Sequence, residues 1–446
     1  MIPLPLAFCN RIQMQYPDDY IALKQSLEST PISAIRMNPY KKSKALSQDE
    51  IPWCEGGYYL QERPLFTADP LFHAGVYYVQ DASSMVISYL FKKFFDSDEP
   101  HVFLDVCAAP GGKTTLLMSL LNINSYVISN EIVPLRASIL TENVIKWGLG
   151  NAFVTNNDPV HFSKLKNHFD GILLDAPCSG EGLFRKDHEA RQEWSESNCN
   201  QCVQRQEKII HDCWDSLKPG GILFYSTCTF NAEENEKLLF KVQEELGFES
   251  LSIEFPTAWN IREVREGSIL GYQFFPHLLR GEGFFISVLK KPGTGVDHAN
   301  SKFAFPSTVK EKLLAPILGK EHQAVLFKEQ VHALNAVMFE DFTKINKLLN
   351  LKYVGVDIGA ILHGKLVPSH SLALSAFLHL DSFEKIELSR EQSLLYLSRK
   401  EFVIENKKIG WKLLTFENHA LGFAKHLGNR WNNYYPLQWR IRMDLP

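Results

Sequence analysis

Asp105-Val106-Cys107-Ala108-Ala109-Pro110-Gly111-Gly112-Lys113-Thr114 follows the apolar run Val102 to Val106 and opens the helical pattern Thr114 to Leu121. Small residues and two glycines at a strand-to-helix turn let the backbone approach a ligand at the carboxyl edge of a sheet, where open α/β sheets bind their ligands. A nucleotide-like ligand is implied. The ending Gly112-Lys113-Thr114 suggests a P-loop, but that motif requires glycine where Cys107 stands, and the dinucleotide pattern GxGxxG is absent.

What remains is the first loop of an S-adenosylmethionine-dependent methyltransferase, whose cofactor carries ribose and adenine but no pyrophosphate. The pattern around the loop agrees. Apolar, β-branched runs at 102–106, 126–129, 152–155, 171–174 and 222–225 alternate with helical patterns at 114–121, 135–147, 190–217 and 232–246, which predicts a parallel, doubly wound, Rossmann-like α/β sheet. Phe284 to Leu289 adds a late strand. Glu131, after the second strand, is placed to accept hydrogen bonds from ribose hydroxyls, and Asp158, after the third, to receive the adenine amino group.

The fourth strand ends in Asp175-Ala176-Pro177-Cys178-Ser179-Gly180-Glu181-Gly182 and the fifth in Ser226-Thr227-Cys228-Thr229-Phe230, so each brings a cysteine to the edge beside the cofactor. Thiols suit methylation at pyrimidine C5, a carbon that becomes nucleophilic only after a thiolate has added to C6. The residues alone do not rank the two cysteines. Cys107 and Cys213 are expected to serve as small apolar residues, Cys107 also lining the cofactor loop. Cys199-Asn200-Gln201-Cys202 is the one CxxC, with no second pair at ligand spacing, so ordinary helix surface or core is expected and no metal.

The 446 residues exceed one ordinary core, and 45% hydrophobic with 22% charged residues is a globular composition. Forty-seven Lys plus Arg against 51 Asp plus Glu give a net charge of −4, so any nucleic-acid surface must be local. Two places qualify. Arg36 to Leu46 is a short basic stretch after a helical pattern spanning Asn10 to Leu27. The segment 403–446 carries Lys407, Lys408, Lys412, Lys425, Arg430, Arg440 and Arg442 against Glu405, Glu417 and Asp444, interleaved with Trp411, Trp431, Tyr434, Tyr435 and Trp439. Cations neutralise phosphates and aromatic faces stack on bases, although the same aromatics could fill a small β core. Eight cysteines are too few for a disulfide scaffold, no apolar run reaches membrane-spanning length, and the expected address is the cytoplasm.

Taken together, DVCAAPGGKT, DAPCSGEGLFRKD and STCTFNAEENE resemble the motifs of the Nop/Sun RNA 5-methylcytosine methyltransferases. Trp53 to Leu60, Gly75 to Met85, Leu421-Gly422, Lys425 and the ending Asn433 to Arg440 are similar to the bacterial RsmF (YebU) branch, which methylates 16S ribosomal RNA. The resemblance implies cofactor contacts from Cys107, Ala108, Ala109, Pro110, Gly111, Gly112 and Lys113, and from Glu131, Asp158 and Asp175. It makes Cys228 the nucleophile and Cys178 the residue that helps release product, gives Asp175 a contact to the cytosine, and turns Lys186 toward the base or the RNA backbone. It also implies an N-terminal RNA-binding accessory module over 1–96, the catalytic domain over 97–292, and a C-terminal α+β extension over 300–446 with a PUA-like RNA-binding module at about 380–446. A monomer acting on 16S rRNA or the small subunit is the expectation, with transfer RNA as the alternative substrate and a non-catalytic ribosome-assembly factor as the rival of another class.

Overall fold

The computed structural model describes residues 2–294, 322–377, 379–404 and 408–443, with 314, 317 and 319 as isolated positions between. Residues 295–299 of the stretch 290–299, which the sequence pattern predicts to be a linker, lie outside the described residues, as do Glu405, Lys407 and Asp444 of the basic segment.

The chain opens with α1 (Leu6–Gln15) and α2 (Tyr20–Leu27), two helices where one pattern was expected, because Pro17 lacks the N–H a continuous helix needs. A small antiparallel sheet follows, with β1 (Ser33–Met37) between β2 (Gly57–Leu60) and β3 (Tyr77–Val79), the short helix α3 (Pro70–His73) lying between those two in sequence. Arg36 is not part of an exposed basic stretch. It is buried in β1, donates to Gln80 at 3.1 Å and Thr115 at 2.7 Å, and lies 4.4 Å from the Trp147 ring centroid.

Helix α4 (Ile87–Phe94) leads into the catalytic unit: β4 (Val102–Asp105), α5 (Gly112–Leu120), β5 (Tyr126–Asn130), α6 (Pro134–Trp147), β6 (Ala152–Thr155), β7 (Phe169–Asp175), α7 (His188–Glu193), α8 (Glu196–Trp214), β8 (Leu217–Thr227), α9 (Glu236–Leu246), the short β9 (Glu249–Ser250), β10 (Arg262–Glu266), β11 (Ile269–Phe274) and β12 (Phe284–Lys290). The order β8-β7-β4-β5-β6 is parallel throughout. Helices cover both faces, so β4, β5 and β6 are buried at every position, as their continuous apolar runs require. The helix expected over 190–217 breaks at Ser195, whose side chain accepts from Asn198 N and starts α8.

The sheet is mixed rather than wholly parallel. The strands β12, β11 and β10 continue it antiparallel beyond β8, and at the other edge β15 (Leu351–Val354), which follows the hairpin β13 (His322–Phe327) and β14 (Gln330–Asn335), pairs antiparallel with β6. A strand from beyond residue 300 thus completes the catalytic sheet. The last sheet joins 384–387, 410–416, 419–426 and 431–433. No helix among the described residues is long and apolar enough to cross a membrane.

Candidate functional site

Parallel strands end together, so the loops after β4, β7 and β8 converge on one edge. The loop after β4 holds its shape through α6: Arg136 donates to Ala109 O at 3.0 Å and Asn143 to Pro110 O at 2.8 Å, and the Ala109-Pro110 peptide is cis. Gly111 takes φ of 116°, a conformation open to glycine, and a Cβ on Gly112 would stand 3.3 Å from the Tyr78 ring. Between this loop and β3 lies a cleft of about 770 Å³, lined by Tyr78, Gln80, Asp81, Asp105, Cys107–Pro110, Gly112, Lys113 and Asp175.

Asp105 was read only as the start of the motif, yet its carboxylate faces this cleft. Its Oδ2 accepts from Thr114 at 2.6 Å, its Oδ1 is buried with no hydrogen-bond partner among the described residues, and burial pushes its pKa up to about 7. Burial likewise raises Cys107 well above an ordinary thiol. Glu131 and Asp158 stand at the same sheet edge but outside the lining of the cleft. Glu131 is 3% exposed, accepts from Val133 N at 2.9 Å and lies 3.3 Å from Arg136. Asp158, with its side chain 46% exposed, caps the turn at 159–164 by accepting from Val160 N at 3.1 Å.

At the far end of the cleft Lys113 pairs with Asp175 at 2.7 Å, and Asp175 also accepts from Ser226 at 2.9 Å. Burial works against the Lys113 charge, but Asp175 and then Cys228 and Asp105 outweigh it, and its pKa is raised. Next to this pair the Cys178 and Cys228 sulfurs are 3.2 Å apart. The Cys178 pKa is raised well above an ordinary thiol, first by the hydrogen bond to Cys228 and then by burial.

The contacts that bring the two thiol loops together were not foreseen in the sequence. Gly182 N donates to Cys228 O at 2.8 Å, and a Cβ on Gly182 would stand 2.3 Å from Gly283 O, so only glycine lets the loops close. Glu234 accepts from Ser179 N at 2.8 Å and Asn231 at 3.0 Å. Glu181 accepts from Trp194 at 2.9 Å and Phe230 N at 3.2 Å. The repeated acids of both motifs were the available signal. Glu181, Cys199 and Glu234 are close enough to surround an ion, but both carboxylates already accept these internal bonds, and burial holds the Cys199 thiol up at about 12. Cys202, on the same helix, is raised by burial to about 11, and Cys213 is buried in the core.

Two expectations about RNA contacts change. Lys186 lies 3.4 Å from Glu282 and 3.6 Å from Asp81, which turns it to the cleft rim and to an internal acid. In the C-terminal sheet Tyr435 is buried, Lys412 is buried and paired with Glu384 at 2.6 Å, and Lys425 lies 5.0 Å from the Trp411 ring centroid, so part of the aromatic and basic pattern builds the core. Tyr434, Arg430 and Arg442 remain at the surface.

Comparison with known proteins accounts for all three regions. The family described as 16S rRNA methyltransferase RsmB/F matches residues 93–290, the N-terminal domain of 16S rRNA methyltransferase RsmF matches 4–82, and the methyltransferase RsmF PUA domain matches 383–441. The chain is 32% identical to the ribosomal RNA small subunit methyltransferase F of Psychromonas ingrahamii, over 97% of this chain and 96% of that one. It is 29% identical to the protein of the same name from Shewanella loihica, over 98% and 95%. Among solved structures, a methyltransferase homologue from Pyrococcus horikoshii aligns with a TM-score of 0.54 and 26% identity over 64% of this chain and 94% of that one. NSun6 from the same organism shares the fold, with a TM-score of 0.53 and 20% identity over 66% of this chain and all of that one. The chain belongs to the RsmF family of 16S ribosomal RNA methyltransferases.

Proposed function

We propose that this protein methylates carbon 5 of a cytosine in 16S ribosomal RNA, using S-adenosylmethionine and a covalent bond from Cys228 to cytosine C6. The observation that carries this reading is the pair of thiols 3.2 Å apart, beside the Lys113–Asp175 ion pair that closes the far end of the cleft.

The cleft suits the cofactor. Asp105 offers an unpartnered buried carboxylate oxygen to a donor or cation, the loop 107–112 presents small residues and open backbone, and Glu131 keeps lone pairs for ribose hydroxyls beyond those used by Val133 N and Arg136. S-adenosylmethionine supplies an electrophilic methyl group when bound.

Cytosine C5 does not attack a methyl group until the ring is activated. The Cys228 thiolate forms a bond to C6, and the displaced π electrons build up an enamine reaching C5. Lys113 and Asp175 face the edge of the ring, where hydrogen bonds to N3 and N4 stabilise that electron density. C5 then takes the methyl group, its sulfonium bond breaking. Loss of the C5 proton to a base restores the C5–C6 double bond and expels the Cys228 sulfur. Cys178, its sulfur 3.2 Å from that of Cys228, assists this expulsion by donating a proton to the departing sulfur. The base itself must be unpaired or flipped to reach the sheet edge.

Two expected results test the cofactor assignment. Glu131→Ala weakens S-adenosylmethionine binding roughly 10- to 150-fold, about 1.5 to 3 kcal/mol, in isothermal titration; unchanged affinity in a folded variant removes Glu131 from the ribose site. The second result is a pH dependence. Asp105 has its pKa raised from 3.8 to about 7, so below that pH the free protein carries it protonated, and a donor or cation bound at Oδ1 must drive the proton off. Affinity therefore falls toward about tenfold per pH unit below neutrality and levels off above it. Asp105→Asn flattens the profile, and a wild-type profile already flat contradicts the assignment.

The reaction is tested by incubating the protein with unmodified 16S rRNA, small subunits or transfer RNA and methyl-labelled cofactor, then digesting to nucleosides for mass spectrometry. 5-Methylcytidine from 16S rRNA or subunits is the expected product. A different methylated nucleoside, or label in transfer RNA alone, overturns the reading.

A further inference from the structure

The N-terminal helices were expected to bind RNA, but their apolar face is occupied by the catalytic loops. Phe8, Ile12, Leu23 and Leu27 form one core with Phe184, Trp194 and Phe230, residues that flank the two thiol-bearing segments. The Phe8 ring lies edge-on to Phe184 at 5.0 Å. Arg191, buried in the same seam, donates to Leu27 O at 2.8 Å and Phe184 O at 2.7 Å.

At the centre of this seam Arg11 pairs with Glu181. The Glu181 side chain is fully buried and that of Arg11 is 22% exposed. Glu181 lies three residues after Cys178 and accepts from Phe230 N, two residues after Cys228, so this one carboxylate joins the two thiol loops. On the other side of the same residue, Gln15 of α1 donates to Phe230 O at 3.0 Å. A buried carboxylate that loses its cation is left as an uncompensated charge, and any move of it toward water breaks the bonds it accepts from Phe230 N and Trp194.

We propose that Arg11 is a positioning residue for methyl transfer: by holding the Glu181 carboxylate in place between the two loops, it fixes the separation of the Cys178 and Cys228 sulfurs. The role assigned to those sulfurs rests on the proposed function above. The N-terminal helices are accordingly part of the active-site frame.

The test uses the full-length protein and total methyl transfer to 16S rRNA, whatever the position methylated. Arg11→Ala lowers kcat about 30-fold or more, with KM for the cofactor within about twofold of wild type, since Arg11 is not among the residues that line the cleft. Arg11→Lys, which keeps the charge, retains most of the activity. In the double variant Arg11→Ala/Glu181→Gln the unpaired charge is gone and one acceptor oxygen remains for Phe230 N, so kcat recovers in part, by about threefold or more. Dibromobimane, which links two neighbouring thiols and becomes fluorescent, joins Cys178 to Cys228 in the wild type and far more slowly in Arg11→Ala. Unchanged kcat in a folded Arg11→Ala variant overturns the proposal, and so does a loss of kcat with wild-type cross-linking and no recovery in the double variant. Methylation of a base other than cytosine by the wild type would instead refute the proposed function while leaving these Arg11 readouts measurable.

Discussion

Replacing Cys228 by alanine should abolish methyl transfer, lowering it by about 10⁴-fold or more, the scale on which loss of a covalent nucleophile acts in other enzymes. No protein–RNA adduct should form either, because without addition at C6 the ring never becomes nucleophilic at C5. Cys178→Ala should behave differently. Its Cys228 still attacks and the methyl group still transfers, but expulsion of the sulfur loses its proton donor, so turnover slows and a covalent complex builds up that survives denaturing electrophoresis. The Cys178→Ala/Cys228→Ala double variant should give no complex. An adduct trapped by Cys228→Ala and not by Cys178→Ala would exchange the roles of the two sulfurs.

The second large effect is expected at the ion pair beside them. Lys113→Met leaves Asp175 with Ser226 alone to hold it, and Asp175→Ala leaves Lys113 buried without its nearest counter-charge. Each should slow single-turnover methyl transfer at saturating cofactor by about 10²- to 10³-fold, the usual cost of losing one aligned charge-stabilising or proton-handling group. If either variant keeps a rate within about threefold of wild type while binding RNA normally, the pair does not act on the cytosine.

The parallel half of the sheet and the cysteines at its edge were legible because strand, loop and helix follow each other within a few tens of residues, and buried strands leave uninterrupted apolar runs such as Ile222 to Tyr225. The antiparallel half was not. Strand β10 reads Arg262-Glu263-Val264-Arg265-Glu266, a charged edge strand with one apolar residue, and its place is set by pairing with β11 rather than by its own pattern. Strand β15 meets β6 from nearly 200 residues away, a pairing with no local signal. The same holds for charge. Arg36 sits beside lysines in sequence and reads as surface, and only its contacts with Gln80, Thr115 and Trp147 bury it. Glu181 and Glu234 read as ordinary loop acids, whereas the folded chain uses them to tie together two loops some 50 residues apart. The motifs placed both sulfurs at one edge, but their order of action came from resemblance; the structure adds that the two sulfurs lie 3.2 Å apart and that Cys228 adds to the charge stabilisation of Lys113.

The central claim is a bond between Cys228 and cytosine C6, and the most direct measurement isolates it. The complex trapped by Cys178→Ala with 16S rRNA is digested with nuclease and trypsin, and the nucleotide-bearing peptide is sequenced by mass spectrometry. A single modified peptide with 5-methyl-dihydrocytidine monophosphate on Cys228 is the expected result. Attachment to any other residue, or a trapped pyrimidine that carries no methyl group, would contradict it.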